Sequence, residues 1–498
     1  MPPINATLWR PIALIWAMLF FQAFGVMVSI APQTRLFEDI ACRRYFGSGD
    51  QLDEELCKDT AVQDVVNGLF GWQLFFDGIP GLVMAMYYGA MADEEGRKPV
   101  LMLSLVGQAL GAAWILFICW IRVDPRWTWL SSAFYFIGGG GTVFNAAAMM
   151  ILTDASLESF RSKAFFYSHG VTILGEMLAP PLGAYLMEKS LWVPIIIGFV
   201  CLLLAVWLTV FMPETLFVAV TTDQQDERGY QAITTGADGP PESRGIKCEF
   251  DIKGRLEAAT RHTLSTLGSV LNHRNLVLLM AGFFLTDFAQ QSLTVLLRYV
   301  SARYSVSLAK ASYLYSFQAF GQMIAYGIVL PLLDTTLVSQ VGLLPRIKDL
   351  YLSQLSALIL ALSFAVIALA ARLDFVFVGI AIYTLGTGFH SFARSLVSSL
   401  VDVDMIGTVF TALAIMDTLA ILLAGPAIAA VLKLSMRLDG VGKGLPYLLA
   451  FLLCVITAIF LAQVRVKESA SRDVLEDEEQ RLLPGGEDER RNEGPASP

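Results

Sequence analysis

Gly89-Ala90-Met91-Ala92-Asp93-Glu94-Glu95-Gly96-Arg97-Lys98 stands between two apolar runs at 68–90 and 99–121. Each run has the roughly 20 residues a helix needs to cross the hydrocarbon of a bilayer. A connection this short must reverse the chain at the membrane surface. Glycines serve the reversal, and the charges between them can pin the neighbouring helix ends. The stretch therefore reads as a tight turn between two membrane helices.

Outward from it, further runs place twelve spans near 11–31, 68–90, 99–121, 128–152, 164–187, 192–212, 275–298, 311–331, 350–371, 375–398, 408–432 and 445–464. The expected fold is an all-α membrane protein of twelve transmembrane helices in two six-helix halves, 1–212 and 275–464. The polar segment 213–274 is expected to be a largely disordered cytoplasmic linker, and the acidic segment 465–498 a disordered cytoplasmic tail. Within the tail, Glu478-Glu479-Gln480-Arg481-Leu482-Leu483 resembles an acidic dileucine sorting signal, a solvated tail being the simpler reading.

The composition agrees. Of 498 residues, 55% are apolar and only 16% charged, with a mean hydropathy of +0.59. A soluble chain carries about a quarter charged residues. The first run, Pro11 to Ala31, is too long for a signal-peptide core and is followed by many more spans, so it reads as the first membrane helix. The net charge of −9 gathers in the first loop, the centre and the tail, which excludes a nucleic-acid partner. No His-Glu-x-x-His pair, Gly-x-Ser-x-Gly elbow or phosphate-binding glycine loop occurs, so neither an enzyme nor a cofactor is expected. The cysteines form no metal pattern. Cys119, Cys201 and Cys454 lie in apolar runs and read as packing residues, while Cys42 and Cys57 share the first loop and either pair there or stay as thiols.

A charge at the bilayer centre costs at least ~2.5 kcal/mol on insertion scales, so such residues face a cavity or a partner. Those in mid-span are Asp77, Glu176, Asp287, Arg394 and Asp417, with His169 beside Glu176 and His390 beside Arg394. His169, Thr172 and Glu176 share a face of span 5. In span 7, Asp287, Gln290, Gln291, Thr294 and Arg298 form one polar stripe, and in span 10 His390 and Arg394 are a turn apart. Gln22 and Ser29 in span 1, with Thr142 and Asn145 in span 4, complete a candidate wet cavity. Hydrogen bonding within a helix bundle is the competing reading. Asp77 and Asp417 suit pairing as well as function, and Arg394 with Asp417 is a possible permanent salt bridge. Burial disfavours the charged form of Glu176 and a nearby cation favours it, so Glu176 is the first candidate for proton coupling.

The opening stretch resembles the loop between helices 2 and 3 of the major facilitator superfamily, G-x-x-x-D-x-x-G-R-[K/R], through Gly89, Asp93, Gly96, Arg97 and Lys98. The resemblance implies a conformational latch, in which Asp93 sits near the start of helix 11 and Arg97 reaches an acid ending helix 4, Asp154 first and Glu158 second. Glu94 departs from the pattern, since a basic residue is common there. The resemblance also implies that spans 3, 6, 9 and 12 lie on the outside, that one monomer is sufficient, and that the termini and the loop face the cytosol. Lys and Arg counts near the span ends are about equal on the two sides and leave orientation open. With that orientation, the Asn5-Ala6-Thr7 sequon would face the cytosol and stay unmodified.

Gly175-Glu176-Met177-Leu178-Ala179-Pro180-Pro181-Leu182-Gly183 is similar to the proline–glycine motif of proton-coupled drug antiporters, G-x-x-x-G-P-x-x-G, with Ala179 in place of a glycine. It implies a hinge at Gly175, Ala179, Pro180 and Gly183. Glu176 with Arg394-Ser395-Leu396 resembles the proton-coupled folate transporter group, which links the Glu to proton coupling and the Arg to substrate. The first loop, with Leu36-Phe37-Glu38-Asp39, and Gly444-Leu445-Pro446-Tyr447 look like filamentous-fungal members related to that group.

The expectation is a proton-linked transporter of a small organic molecule in the plasma membrane, with the vacuolar membrane as alternative. Glu176, Asp287 and His169 are the coupling candidates. Arg394, His390, Gln290, Gln291, Thr294, Asn145 and Gln22 are the substrate candidates. Efflux of a drug-like compound or secondary metabolite is favoured over uptake of an organic anion, and over a non-transporting sensor on the same fold.

Overall fold

The computed structural model describes residues 6–47, 56–156, 158–215, 274–339, 345–401, 406–438 and 440–464. The linker from 216 to 273, the tail from 465, Asn5 and the side chain of Glu158 lie outside the described residues. The described elements are helical. Span 1 is Ala6–Phe46, span 2 Thr60–Glu94, span 3 Arg97–Ile121, span 5 Glu158–Met187 and span 6 Trp192–Val210. Span 9 is Pro345–Leu369, span 11 Ile406–Ser435 and span 12 Leu445–Ala462.

Four spans are interrupted. Span 4 consists of Ser131–Phe134 and Gly140–Ala155, entered through a 3₁₀ turn at Pro125–Leu130. Span 7 runs Arg274–Gln290, tightens to 3₁₀ over Gln291–Val295 and resumes at Leu296–Tyr304. Span 8 is Leu308–Ile324, a π-helical turn at Ala325–Val329, then Leu330–Ser339. Span 10 is Leu373–Gly386 followed by Phe389–Leu400.

Among the described residues, ten helices are long and apolar enough to cross a membrane. Spans 4 and 5 complete the twelve but fall short of that measure, because glycines divide one and the other carries Ser168, His169, Thr172 and Glu176. Where span 4 was expected to be continuous over 128–152, Gly138, Gly139 and Gly140 take φ of +86°, +73° and +64°. Only glycine enters that region without a Cβ penalty, so the helix stops there.

The first loop is also shorter than expected. Leu36, Phe37, Ile40 and Ala41 are buried on one side of the continuing span 1 helix. Glu38 is buried with them, pairing with Arg35 at 3.3 Å and accepting from Gln63 at 2.9 Å. Arg43–Asp39 is an ion pair on the more open side, at 2.9 Å. An amphipathic continuation of this kind is stable outside the hydrocarbon. Cys42 therefore sits in the last turns of span 1, disulfide-bonded to Cys57 with 5.3 Å between Cα atoms.

Each half has its own apolar core. Ile15, Met18, Leu101, Leu105, Phe144 and Ile151 pack together in the first, and Leu279, Phe283, Phe364, Ile380, Phe389 and Tyr447 in the second. Spans 3, 6, 9 and 12 show apolar stripes to the surroundings, such as Phe117 and Trp120, Val200 and Trp207, Leu355 and Leu362, Leu452 and Ile459. Lipid is the medium that tolerates such surfaces.

The halves meet mainly through spans 2 with 11 and 5 with 8. Gly71 and Gly425 allow the backbones of spans 2 and 11 to touch, for a Cβ on Gly71 would lie 2.9 Å from Gly425 O. Towards the disulfide end of the bundle, Asp64 pairs with Lys433 and Arg437 at 3.3 Å each, and Arg298 stacks on the Phe70 ring at 4.6 Å. At the opposite end, Arg97 and Asp154, Lys98 and Val210, and Asp349 and Ser395 each bond within one half.

Candidate functional site

The mid-span charges of the second half converge. The Asp287 carboxylate Oδ1 lies 3.1 Å from His390 Nε2, and Arg394 donates to Asp417 Oδ2 at 3.0 Å. Asp287 and Asp417 are also within hydrogen-bonding reach of each other. Spans 7, 10 and 11 thus bring two acids, an imidazole and a guanidinium into one cluster. The Arg394 side chain is 50% exposed, whereas those of Asp287 and Asp417 are 15% and 20% exposed. The cation faces open space and the acids sit behind it.

Hydrogen-bond accounting fixes much of the chemistry. Tyr383 Oη donates to Gln290 Oε1 at 3.0 Å, which turns the Gln290 amide nitrogen toward His390 Nε2, also at 3.0 Å. An amide nitrogen only donates, so His390 Nε2 accepts and carries no proton. Asp287 Oδ1 then faces a nitrogen with no proton to give. Asp287 Oδ2 and Asp417 Oδ1 are buried with no hydrogen-bond donor. The cluster is short of hydrogens.

Backbone irregularity surrounds it. Span 10 breaks between Gly386 and Phe389, and Tyr326, inside the π turn of span 8, donates its hydroxyl to Thr387 O at 3.0 Å. The free carbonyl left by the break is thereby satisfied, as a buried polar group requires. The other face of Tyr326 meets the His169 ring of the first half at 4.8 Å, edge on. The Glu176 carboxyl lies near enough to Tyr383 to act on it electrostatically, and no hydrogen bond or ion pair to Glu176 is found among the described residues.

The remaining candidates are dispersed. Thr294 is exposed and donates to Gln291 O at 2.7 Å; both follow Gln290 where the helix tightens. The expected stripe of span 7 does not extend to Arg298, which the 3₁₀ turn carries into the contact between halves. Asn145 is exposed on span 4. Gln22 faces elsewhere, bonding Gln108 at 3.4 Å in a separate cavity of about 210 Å³ between spans 1, 3 and 6, with Ser29 and Tyr135 in its wall. Asp77 accepts from Gln73 at 2.7 Å and from Ser132, which ties span 2 to the start of span 4.

At the opening loop, Arg97 donates to Asp154 at 3.2 Å and pairs with Asp93 one turn away. Glu214, which sequence reading missed, accepts from the backbone of Arg97 and Lys98 at 2.9 and 3.2 Å, capping span 3. In span 5, Gly175 and Gly183 lie against the backbone of span 1 and Ala179 is fully buried. The helix runs unbroken through Pro180. Tyr383 and Tyr326 were missed as well. Tyr383 had a signal, standing seven residues before His390 on its face; Tyr326 had none.

Known proteins resemble the chain over most of its length. The chain is 31% identical over 462 residues to the "MFS efflux pump atnC" of Emericella nidulans, covering 90% of this chain and 86% of that protein. It is 27% identical to the "Efflux pump ustT" of Aspergillus flavus, over 83% of this chain and 80% of that one. Among solved structures, a D-xylose-proton symporter superposes with a TM-score of 0.62 at 12% identity, over 94% of this chain and 99% of the other. A human organic anion transporter does so at 0.53 and 17%, over 93% and 100%. The Major Facilitator Superfamily profile matches residues 12–426. With its membrane-spanning helices, fold and relatives in agreement, the chain is a multi-pass membrane transporter belonging to the Major Facilitator Superfamily.

Proposed function

We propose that this transporter exports a small organic metabolite in exchange for protons, by alternating access between its two halves. The observation that carries the reading is the hydrogen-poor cluster of Asp287, His390, Gln290, Arg394 and Asp417. A transporter that binds and releases protons needs acids in such surroundings, and a structural bundle has no use for them. Efflux rather than uptake follows the two relatives named as efflux pumps. Arg394, His390, Gln290, Gln291, Thr294 and Asn145 would hold the substrate, with Glu176, Asp287 and His169 handling protons.

The Cys42–Cys57 disulfide supports the orientation, because such bonds persist on the oxidising side of a membrane. The connection between spans 2 and 3 then lies on the cytosolic side. The structure shortens it from the expected ten-residue turn to Glu95–Gly96, with Gly89 inside the span 2 helix. Arg97 with Asp93 and Asp154 would serve as the latch, relaxed where the halves are joined at the disulfide end. Gly175 to Gly183 would let span 5 slide and bend against span 1. The plasma membrane is the expected site, with a monomer as the working unit.

Liposomes containing the chain and a pH-sensitive dye test this directly. Substrate-driven proton movement opposite in direction to the substrate is the expected result. Movement in the same direction would instead support proton-coupled uptake of an anion at Arg394. Substrate flux without proton movement would remove the proton-linked part of the reading.

A further inference from the structure

We propose that Asp287 and Asp417 share one exchangeable proton and act as a single proton-binding site, so that Asp417 is a coupling residue and not only the counter-ion of Arg394. This deepens the proton-linked reading above and rests on it for its role in transport. The shared proton rests on two buried carboxyl oxygens without a donor, on packed spans 7 and 11.

Four carboxyl oxygens are involved, and their partners can be counted. Asp287 Oδ1 faces His390 Nε2, and Asp417 Oδ2 receives Arg394. The two left over, Asp287 Oδ2 and Asp417 Oδ1, are both buried and both lack a donor. The two carboxyl groups lie within hydrogen-bonding reach of each other. With both ionised, two like charges would stand side by side with one guanidinium between them, and two buried oxygens would stay unsatisfied. One proton, bonded to one carboxyl and donated to the other, removes the like-charge pair and satisfies the remaining oxygens together.

Among the described residues, the polar groups around the pair have their own hydrogens committed elsewhere. From span 10, His390 accepts from Gln290 at the same nitrogen that faces Asp287, and Arg394 is already committed to Asp417. Tyr383, also from span 10, gives its hydroxyl hydrogen to Gln290. From span 8, Tyr326 gives its own to Thr387 O. Across the interface, Glu176 acts electrostatically on Tyr383.

Loss of the proton breaks one O–H bond and passes H⁺ to water on the exposed side, where Arg394 stands. It leaves two carboxylates and one cation. The charge of the cluster falls by one, and the hold of Asp417 on Arg394 strengthens. Because two interacting carboxyls titrate as a pair, the proton belongs to the pair and not to either residue.

Infrared spectroscopy of the purified full-length chain tests this without any substrate. A protonated carboxyl absorbs in a carbonyl band that ionised acids lack, and the band should fade as pH rises. Asp287→Asn and Asp417→Asn should each abolish the same band. Asp417→Glu, which keeps a carboxyl at the site, should retain a band at a displaced frequency and serves if Asp417→Asn fails to fold. A band that Asp287→Asn removes and both Asp417 variants leave in place would overturn the proposal, assigning the proton to Asp287 alone. A band untouched by every variant would overturn it also. Proton movement in liposomes without a shared band would sink the pair and spare the transport reading. A shared band in a chain that moves no protons would do the reverse.

Discussion

The two halves are built from corresponding spans, yet they treat buried charge in opposite ways. In the second half, Asp287, His390, Arg394 and Asp417 from three spans form one cluster. In the first, Asp77 is absorbed into hydrogen bonds with Gln73 and Ser132, and Glu176 stands without a hydrogen bond or ion pair among the described residues, facing the other half. The close helix contacts of the first half are made instead by glycine, as where a Cβ on Gly183 would lie 2.9 Å from Val28 O. The second half thus gathers its buried charges in one place. The first keeps a lone acid and packs its spans closely through glycine.

The largest expected effect tests that lone acid. In Glu176→Gln, flux driven by a pH gradient should fall to background, by a larger factor than substrate exchange at equal pH. Equal losses in both assays would place Glu176 in substrate binding, and the contrast between halves would weaken. Next, Arg394→Gln in the second half removes a charge-assisted bond of about 1.5–3 kcal/mol. If an anionic group of the substrate uses it, the substrate concentration for half-maximal flux should rise on the order of 10- to 100-fold. An unchanged half-saturation would return Arg394 to the role of a permanent partner for Asp417.

A third prediction concerns the mechanical half alone. Gly96 caps span 3 at φ +116°, with the Glu214 carboxyl carbon 2.6 Å from where a Cβ would stand. Gly96→Ala should therefore lose about 1–3 kcal/mol of stability, seen as a lower unfolding temperature in detergent. Gly89→Ala, with nothing within 4 Å of a Cβ, should be neutral or slightly stabilising. Equal behaviour of the two would refute the strain assigned to the cap.

Much of this was legible in the chain, and the failures share a cause. Apolar run length gives spans because a bilayer imposes one length on every helix. Single-span faces were legible too: Gln290 and Asp287 in span 7, and His390 and Arg394 in span 10, do meet. Which face turns to which neighbour was not. Gln22 does line a cavity, but one beside span 3, where it bonds Gln108, and not the one at the charged cluster. Asp417, with apolar neighbours on its own helix, gains its polar surroundings from other spans, Arg394 of span 10 at 3.0 Å and Asp287 of span 7. Nor does a hydropathy run reveal the breaks at Gly386–Phe389 or Ala325–Val329. The two breaks are linked by the bond from Tyr326 of one span to a carbonyl of the other, a tertiary fact with no local sequence signal.

The smallest effect concerns what holds the halves together at the disulfide end. Asp64 of the first half pairs with Lys433 and Arg437 of the second, but those cations are 49% and 63% exposed. Exposed pairs contribute ~0.2–1 kcal/mol each, because water and salt screen them. Asp64→Asn removes both pairs and should then favour the state open at that end by about 2- to 30-fold. The check is the rate at which a maleimide applied from that side labels a cysteine placed at Thr294. High salt should speed labelling of the chain carrying Asp64 and leave Asp64→Asn unaffected. If neither treatment changes the rate, the end is closed by the backbone contact at Gly71 and Gly425 rather than by charge. Closure would then belong to the glycines, and opening would require spans 2 and 11 to part along their length.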